Sequence, residues 1–380
     1  MSAEFLSQNL RLARLFNELS LQELADAVGK SRQYLSRLES GIEQPTEGLA
    51  LNLAEALDVL PGFFTVLDAM PIAEEQCHFR KQLTTKVALR QVARAKGEMF
   101  KRLVSVLDRS LDFPAYGFLH EEPATPEDIE KVAEACRAEW GLGLGPIANM
   151  IRVAENAGAV LMRMDGLSNE IDAISFATRR PVITLNAEGK SVCRTRFGIA
   201  HEIGHLTIHV GVQTGDRLTE SQANRFASAF LMPRAYFIKE CQRAFRGSRF
   251  SWSAMSDIKL KWKVSKAAIL YRGRQLGVFS EDQYRSGVIY LRRHSQAIKE
   301  DEDDAIVPEI PEIVSDGLHV LEQQCGMPRS TIAREMLIKP KLLDQLLGGQ
   351  ETVRAENVVN LFDQGAGKAK QQRESVVSIC

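Results

Sequence analysis

Long apolar runs are absent from this sequence, and its six cysteines show no CxxC spacing. A membrane-spanning helix needs about 20 consecutive, mainly apolar residues, so no membrane segment is predicted. The first residues also lack the charged and then apolar pattern of a signal peptide. Scattered cysteines favour reduced thiols over a disulfide framework or a cysteine zinc site. These absences together predict a cytoplasmic protein.

Net charge is nearly absent as well, because 48 Lys and Arg residues oppose 49 Asp and Glu residues and leave a formal charge of −1. The chain as a whole is therefore not attracted to nucleic acid, and any such attraction has to be local. Its hydrophobic content of 44% over 380 residues is sufficient for two or three folded domains.

A histidine-rich stretch at 197–209 carries the clearest chemical pattern. Read as one helix, it places His201 and His205 four residues apart on the same face, where two imidazoles can hold one metal ion. Neutral nitrogen ligands suit zinc, and Glu202 is placed to take a proton from water as that water attacks a carbonyl group. The alternative is a chance match on an amphipathic helix. Apolar residues around the motif favour the metal site, because they would keep bulk water away.

A second predicted helix, at 220–233, supplies the third ligand. Glu220 lies in its first turn, and a proline ends it. His209 is the rival ligand, but on a straight helix it would be rotated by about 80° from His201. We therefore expect Glu220 to complete the site, with His209 beside it or at the helix end.

Several stretches resemble the ImmA/IrrE family of zinc metallopeptidases. They are 172–176, 180–186, 201–205, 220–224, 226–227 and 231–233. The resemblance extends to about residue 291 and implies a zincin-like fold. It also implies that His201, His205 and Glu220 bind zinc. The glutamate inside the first motif, Glu202, is then the general base of a zinc metalloendopeptidase, whose substrate in this family is often a repressor with a helix-turn-helix.

Three short strands are predicted beside the metal helix, at 159–164, 173–177 and 181–185. An extended peptide can add to the edge of such a sheet through main-chain hydrogen bonds, which favours a peptide over a sugar or a nucleotide as substrate. The candidates for stabilising the oxyanion are Arg194, Arg196 and Tyr236.

The first seventy residues contain two short helices around a turn with a glycine, which is the signature of a helix-turn-helix. Ser20 and Glu23 form a capping box at the first helix, and Ser31 caps the second, at 32–39. The segment resembles the Cro/C1-type, or XRE, helix-turn-helix family. It departs from that family at Leu21, where a glutamine usually contacts phosphate. The outward residues expected to contact DNA are Ser31, Arg32, Gln33, Ser36 and Arg37.

A small helical domain of this shape can also serve for protein docking or dimerisation, which is the alternative to DNA binding. The residues expected to face inward are Leu12, Leu24, Ala25, Val28, Leu35, Leu38 and Leu53. The cations are Arg11, Arg14, Lys30, Arg32 and Arg37. They cluster on and before the second helix, which favours DNA binding.

Two charged segments flank the predicted peptidase. Eight cations and one acid lie between residues 79 and 102, so this connector either neutralises phosphates or pairs with acids elsewhere in the chain. The acidic, proline-containing stretch after residue 297 is predicted to be a linker. Two helices at 257–279 belong, by the resemblance, to the peptidase domain, with a second DNA reader as the alternative.

The predicted fold class is α+β and mostly helical. Its segments are an all-α helix-turn-helix domain (1–68), a basic helical connector (69–124), a zincin-like metallopeptidase domain with a small sheet (125–297), an acidic linker (298–311), a helical interaction or oligomerisation segment (312–364) and a disordered tail (365–380).

These patterns predict a transcriptional regulator that binds double-stranded operator DNA and uses Zn²⁺ to cleave a protein partner. The predicted substrate is a helix-turn-helix repressor or the chain itself, and a homodimer is compatible with this organisation. The alternative is a non-catalytic, antitoxin-like repressor whose metal fold senses a signal or dimerises. A third hypothesis is an interaction protein of phage or plasmid origin in which neither activity is essential.

Overall fold

The computed structural model describes residues 4–66, 72, 77–79, 87–164, 173–176, 178–186, 189–246, 249–348 and 378–379. The chain divides into two compact units, and neither is a single continuous segment. The first combines 1–69, 98–114 and 312–380, and the second combines 70–97 and 115–311. Helices dominate both units and a four-stranded sheet lies in the second, so the predicted fold class is confirmed.

The regular elements are mostly short helices. In chain order they are α1 (Ser7–Phe16), α2 (Leu21–Ala27), α3 (Arg32–Glu39), α4 (Glu47–Ala56), α5 (Val87–Leu107), α6 (Pro126–Glu139), α7 (Met150–Asn156), α8 (Val192–Ile208), α9 (Arg217–Leu231), α10 (Arg234–Arg243), α11 (Trp252–Trp262), α12 (Lys266–Gln275), α13 (Glu281–Arg293), α14 (Ile313–Gln324), α15 (Arg329–Glu335) and α16 (Pro340–Leu347). The strands are β1 (Cys77–Phe79), β2 (Leu111–Asp112), β3 (Val160–Met164), β4 (Ala173–Phe176), β5 (Val182–Asn186), β6 (Phe245–Arg246), β7 (Arg249–Phe250) and β8 (Ser378–Ile379). Among the helices in these ranges, none is long and apolar enough to cross a membrane.

The predicted helix-turn-helix is present in the first unit as α2 and α3. The Ser20 hydroxyl group accepts a hydrogen bond from the Glu23 amide, and the Glu23 carboxylate accepts one from the Ser20 amide at 2.7 Å. Ser31 caps α3 by accepting from the Tyr34 amide. The apolar set expected to face inward is buried or partly buried: Leu12, Leu24, Ala25, Val28, Leu35, Leu38 and Leu53. Local capping and apolar spacing therefore predicted this domain correctly.

Arg14, one of the five cations of this segment, has a structural role. Its side chain is buried, and its guanidinium donates two hydrogen bonds to the Glu39 carboxylate and one to the Leu19 carbonyl oxygen. It thus joins α1 to the end of α3 and does not face DNA.

The sheet of the second unit contains four strands in the order β1-β4-β5-β3. β3 is parallel to β5, whereas β4 is antiparallel to both β5 and β1. The three predicted strands are present, each within one residue of its predicted ends. β1 is an additional strand from the connector, and it pairs with residues 174–176 of β4.

The stretch 298–311, predicted to be a linker, is packed against the second unit, and we call it the acidic strap. The buried Lys259 ammonium group of α11 donates to Glu300 at 2.6 Å and to Asp303 at 2.5 Å. Burial by itself lowers the pKa of Lys259, yet the hydrogen bonds to Asp303 and Glu300 outweigh it and raise the pKa above its usual value. Glu300 and Asp303 are therefore not solvated, because their counter-charge comes from a distant helix.

Glu309 anchors the far end of the acidic strap. One carboxylate oxygen pairs with the buried guanidinium of Arg196 in α8. The other accepts hydrogen bonds from the Met150 and Ile151 amides at 2.7 and 3.3 Å. These amides lie at the start of α7, where free N–H groups and the helix dipole favour a carboxylate. One side chain of the acidic strap thus holds both α7 and α8.

Within its described residues, the basic connector is helical over α5 only, and three of its cations contact protein groups. Arg94 donates to a main-chain carbonyl oxygen, and Lys101 pairs with a carboxylate of its own helix at 2.7 Å. Arg102 donates to Asn9 Oδ1 at 2.9 Å. For these three residues the contacts favour pairing within the chain over phosphate binding. Residues 80–86, which carry three more of the connector's cations, lie outside the described residues.

The C-terminal region contains α14, α15 and α16 in the first unit. The predicted disordered tail at 365–380 lies outside the described residues, apart from Ser378–Ile379. These two residues form β8 and pair with β2.

Replacing Lys259 by alanine should strongly destabilise the second unit, because Glu300 and Asp303 would stay buried without their counter-charge. Removing one partner of a buried ion pair costs about 3–5 kcal/mol. The free energy of unfolding, measured by urea denaturation, should fall by an amount of this order. Lys299→Ala is the matched control, since its ion pair with Asp304 is exposed and such pairs contribute about 0–1 kcal/mol. Equal losses for the two variants would contradict the structure.

Candidate metal centre and DNA-binding helix

Two helices bring the predicted metal ligands together. α8, capped by Ser191, carries both histidines. α9 begins three residues earlier than predicted, because the Asp216 carboxylate accepts hydrogen bonds from the first amides of that helix at 2.6 and 2.9 Å. Glu220 then lies in its first turn. Gly204 lets the helices approach, since a Cβ atom at this position would lie 3.1 Å from the Phe226 side chain of α9.

His201, His205 and Glu220 converge on one point. The Nε2 atoms of the two histidines are 3.1 Å apart, and the carboxylate oxygens of Glu220 lie 3.4 Å from His201 Nε2 and 3.3 Å from His205 Nε2. Both histidines are fully buried, and Glu220 is partly buried. Within the part of the chain that the structure describes, this is the one group of three or more His, Cys, Asp or Glu side chains placed to hold a metal ion.

A hydrogen bond behind His201 fixes which ring nitrogen faces the cluster. Its Nδ1 atom lies 3.1 Å from Asn224 Oδ1. Because a carbonyl oxygen can only accept, Nδ1 carries the proton and the neutral ring presents a lone pair at Nε2. Asn224 lies in the stretch that carries the family resemblance, but the sequence assigned it no role.

His205 is fixed by a longer chain of hydrogen bonds. Gln222 Oε1 accepts from His209 Nε2 at 2.9 Å, which leaves His209 Nδ1 to accept from His205 Nδ1, also at 2.9 Å. Burial lowers the pKa of His209 below its usual value and so favours the neutral ring that this chain needs. His205 therefore also presents its Nε2 lone pair to the cluster. His209 lies at the end of α8 and supports the site from behind.

The chemistry of this cluster fits a cation. Two nitrogen lone pairs and a carboxylate face one another within 3.4 Å. Glu220 Oε1 is buried and accepts no hydrogen bond from the residues in the described ranges. Buried acceptors without donors are costly, whereas a metal ion shared by the three atoms would satisfy all of them. The three residues thus form a candidate metal centre.

Glu202 lies between the two histidines in α8 and is almost fully buried. Its Oε2 atom accepts hydrogen bonds from the Ser175 amide at 3.0 Å and from the Ser175 hydroxyl group at 2.6 Å. Ser175 belongs to β4, so the sheet holds this carboxylate in place. The sequence did not identify Ser175 as a functional residue; its position within the resembling stretch 172–176 was the available signal.

The structure separates the three oxyanion candidates. Arg196 is buried, and its guanidinium is engaged by Glu309 and by the Ile147 carbonyl oxygen at 2.8 Å, so it cannot turn toward a substrate. Arg194 and Tyr236 lie at exposed positions, and their role stays a prediction.

The two helices predicted at 257–279 are α11 and α12, and two cations of α12 are buried in ion pairs. The buried Lys266 ammonium group donates to Glu302 at 2.8 Å. The buried Arg272 guanidinium donates two hydrogen bonds, each 2.7 Å long, to the Glu130 carboxylate. These contacts favour the closing part of the peptidase domain over a second DNA reader.

The residues predicted to contact DNA share one feature: all lie at exposed positions at the start of α3 or on it. They are Ser31, Arg32, Gln33, Ser36 and Arg37. Arg37 forms an exposed ion pair with Glu43 at 3.1 Å. An exposed pair of this kind is weak, so a phosphate group can replace the carboxylate. The helix that the sequence assigned to base reading thus presents its polar face to solvent.

Comparison with protein families agrees with both parts of the chain. Residues 10–64 match the family model for a helix-turn-helix, and residues 154–273 match the model for an IrrE N-terminal-like domain of peptidases. The chain therefore combines a DNA-binding helix-turn-helix of the XRE type with an ImmA/IrrE-type peptidase domain, and the predicted fusion is confirmed. Residues 274–380 lie outside both matches. Among curated proteins, none matches this chain.

Replacing His209 by alanine should weaken metal binding, because His205 would lose the acceptor that fixes its ring. Loss of such a supporting hydrogen bond typically costs about 10- to 100-fold in metal affinity. Zinc affinity, measured by competition with a chromophoric chelator, should fall within this range. His294→Ala removes an exposed histidine and should leave the affinity unchanged. An unaltered affinity in His209→Ala would show that the hydrogen-bond chain does not support the site.

Proposed function

We propose that this protein is a transcriptional regulator whose peptidase domain is a zinc metalloendopeptidase that cleaves a protein partner. The observation that carries the proposal is the convergence of His201, His205 and Glu220 beside a buried carboxylate, Glu202. The helix-turn-helix binds operator DNA through α3. Because both domains belong to one chain, the DNA-binding part can bring the peptidase to a partner on the same operator.

Zinc is the metal that the ligand set favours. In a tetrahedral zinc site with bonds of about 2.0–2.1 Å, the ligand atoms lie about 3.3 Å apart. The separations of 3.1, 3.3 and 3.4 Å within the cluster support this geometry. Two histidines and a carboxylate are a ligand set of catalytic zinc sites, and water would complete the coordination of a zinc ion that these residues held.

The reaction proposed is hydrolysis of a peptide bond. Zinc, when bound, would supply a Lewis acid that polarises water and the substrate carbonyl group. Glu202 takes a proton from the attacking water and delivers it to the leaving nitrogen. The hydrogen bonds from Ser175 hold the Glu202 carboxylate for this role, and the buried surroundings exclude bulk water. Asn224 and His209 keep the two imidazoles oriented.

The sheet supports an extended peptide as the substrate. β4, which contributes Ser175, lies between β5 and β1, so the chain's own residues 77–79 take the neighbouring strand position. The pairing is antiparallel, with residue 78 opposite Ser175. A substrate strand that replaced β1 would gain the same main-chain hydrogen bonds. This contact also favours the chain itself as a second substrate, cleaved near residues 77–79.

The Glu202→Gln variant tests catalysis without removing a ligand. Glutamine keeps the size of the side chain and an oxygen atom that can accept from Ser175, but it cannot take up a proton. Loss of a general base costs about 10²- to 10⁴-fold in rate. New N-termini should therefore appear in cells that express the wild-type chain and be missing with Glu202→Gln, as measured by mass spectrometry of protein N-termini.

Controls separate this proposal from a non-catalytic regulator. Purified Glu202→Gln should keep its zinc content and its DNA affinity. A cut near residues 77–79 in the wild-type chain would identify self-cleavage. If the two proteins gave identical sets of N-termini while His205→Ala altered gene regulation, the metal site would serve as a sensor and the peptidase proposal would fail.

The Arg32→Ala/Arg37→Ala variant tests α3 as the reading helix. Each cation lost from a phosphate interface lowers the slope of log affinity against log salt by about 0.9, and base contacts are lost as well. Affinity for an operator selected from random-sequence DNA should fall at least tenfold at fixed salt. Lys131→Ala removes an exposed cation from α6 and should change neither affinity nor slope. Unchanged binding by the double variant would exclude α3 as the DNA-contacting helix.

A further inference from the structure

The three C-terminal helices repeat the layout of the first three. α2 and α15 each contain seven residues, and α3 and α16 each contain eight. Four residues separate α1 from α2 and α14 from α15, at 17–20 and 325–328. Four residues also separate α2 from α3 and α15 from α16, at 28–31 and 336–339. The lengths of the last two helices and of both connections are therefore the same in the two sets.

The turns between the last two helices have the same backbone. Gly29 and Leu337 are 308 positions apart, and both are left-handed, with φ values of 64° and 57°. The next amide in each turn closes the preceding helix: Lys30 N donates to Ala25 O at 2.9 Å, and Ile338 N donates to Ala333 O at 2.9 Å. These pairs are again 308 positions apart. Leucine is strained in the left-handed conformation. Its presence at the position equivalent to Gly29 indicates that the surrounding structure imposes this turn.

Burial follows the same offset of 308 residues. In the first set the buried residues are Leu24, Ala25, Leu35 and Leu38. Their counterparts Ile332, Ala333, Leu343 and Leu346 are also buried. The C-terminal helices thus form a second helix-turn-helix, in a part of the chain that lies outside both family matches.

The outward faces of the two copies differ in charge. At four equivalent exposed positions the first copy carries Arg32, Gln33, Ser36 and Arg37, whereas the second carries Pro340, Lys341, Asp344 and Gln345. Two cations are replaced by one cation and one acid. Attraction to phosphates depends on such cations, so at these four positions the second copy is less suited to DNA than the first.

The turn of the second copy binds the first helix-turn-helix domain through its main chain. Leu60 N donates to Leu337 O at 2.8 Å, and Lys339 N donates to Asp58 O at 2.8 Å. Val59 and Ile338 form a β-bridge at this point, and both are buried.

Two lysines add ion pairs to the same contact. Lys339 Nζ lies 2.7 Å from Glu55 Oε2, and Lys341 Nζ lies 2.7 Å from Asp58 Oδ2. Both acids belong to the end of α4 and the residues that follow it. In DNA-binding copies of this fold, the N-terminal end of the second helix enters the major groove. In α16 that end contacts the first domain through the Lys339 amide and the Lys341 side chain.

We propose that α14–α16 is a second helix-turn-helix that binds protein in place of DNA. Its partner is the segment Glu55–Leu60 of the first domain, which we call the acidic corner. The contact joins this corner to the C-terminal helices, so these helices stabilise the DNA-binding domain without contacting DNA. Operator affinity then depends on the turn residues Ile338 and Lys339, and on Lys341 of α16, through their protein contacts.

A charge exchange between Lys339 and Glu55 tests the contact in the full chain. Lys339→Glu and Glu55→Lys each place like charges together, and the double variant restores an opposite pair. Each single variant should speed hydrogen exchange at the Leu60 amide by about two- to fivefold, as expected for an exposed pair, and the double variant should reverse most of this. The stronger variant Ile338→Glu should raise exchange more than tenfold and weaken operator binding. Additive single effects, or unchanged exchange in all variants, would overturn the proposal.

A second experiment tests whether the exposed face of α16, away from this contact, binds DNA. Asp344→Ala/Gln345→Ala should bind an operator selected from random-sequence DNA within twofold of wild type and with an unchanged salt slope. The matched variant Ser36→Ala/Arg37→Ala of the first copy should bind more weakly. A tenfold loss in the α16 variant would show that the second copy reads DNA, and the protein-binding role would be rejected.

Discussion

The candidate metal centre depends on three buried acceptor atoms that repel one another unless a cation lies between them. Two imidazole nitrogens and a carboxylate are held within 3.4 Å, and hydrogen bonds from behind prevent either ring from turning its protonated nitrogen inward. Such an arrangement is costly, so the surrounding structure has to impose it. The close approach of α8 and α9 at Gly204, the cap at Asp216 and the strand that carries Ser175 together do so.

The two activities proposed for the chain rest on different physical features. DNA binding needs a short helix with its polar face in solvent, and α3 meets this requirement through a capped start and an apolar inner side. Peptidase chemistry needs the reverse, since Glu202 and both histidines are buried. These requirements are met in separate compact units of the chain. The helix-turn-helix can therefore change its DNA sequence preference through exposed residues of α3 without disturbing the buried cluster.

Local patterns in the sequence predicted most of the fold and the centre of the site. Capping residues and the spacing of His201 and His205 act over a few residues, so α2, α3 and α8 could be located. The start of a second helix, together with the family resemblance, indicated Glu220. Ser175 and Gln222 could not be assigned, because their roles arise from contacts between segments that periodicity does not connect. The acids of the acidic strap were interpreted as solvated because the buried Lys259 lies 41 residues before Glu300. The C-terminal repeat was missed because the outward positions of its last helix carry one cation and one acid where the first copy carries two cations.

The acidic strap sets the smallest fragment in which the peptidase can be studied alone. A fragment that stopped at residue 297 would leave Lys259 and Arg196 in the interior without their carboxylates and would leave the first amides of α7 unsatisfied. Arg196 lies in the same helix as the candidate ligands, so the damage would reach the metal cluster itself. The acidic strap therefore cannot be replaced by a flexible spacer. A domain swap between related regulators would have to cut the chain after residue 311.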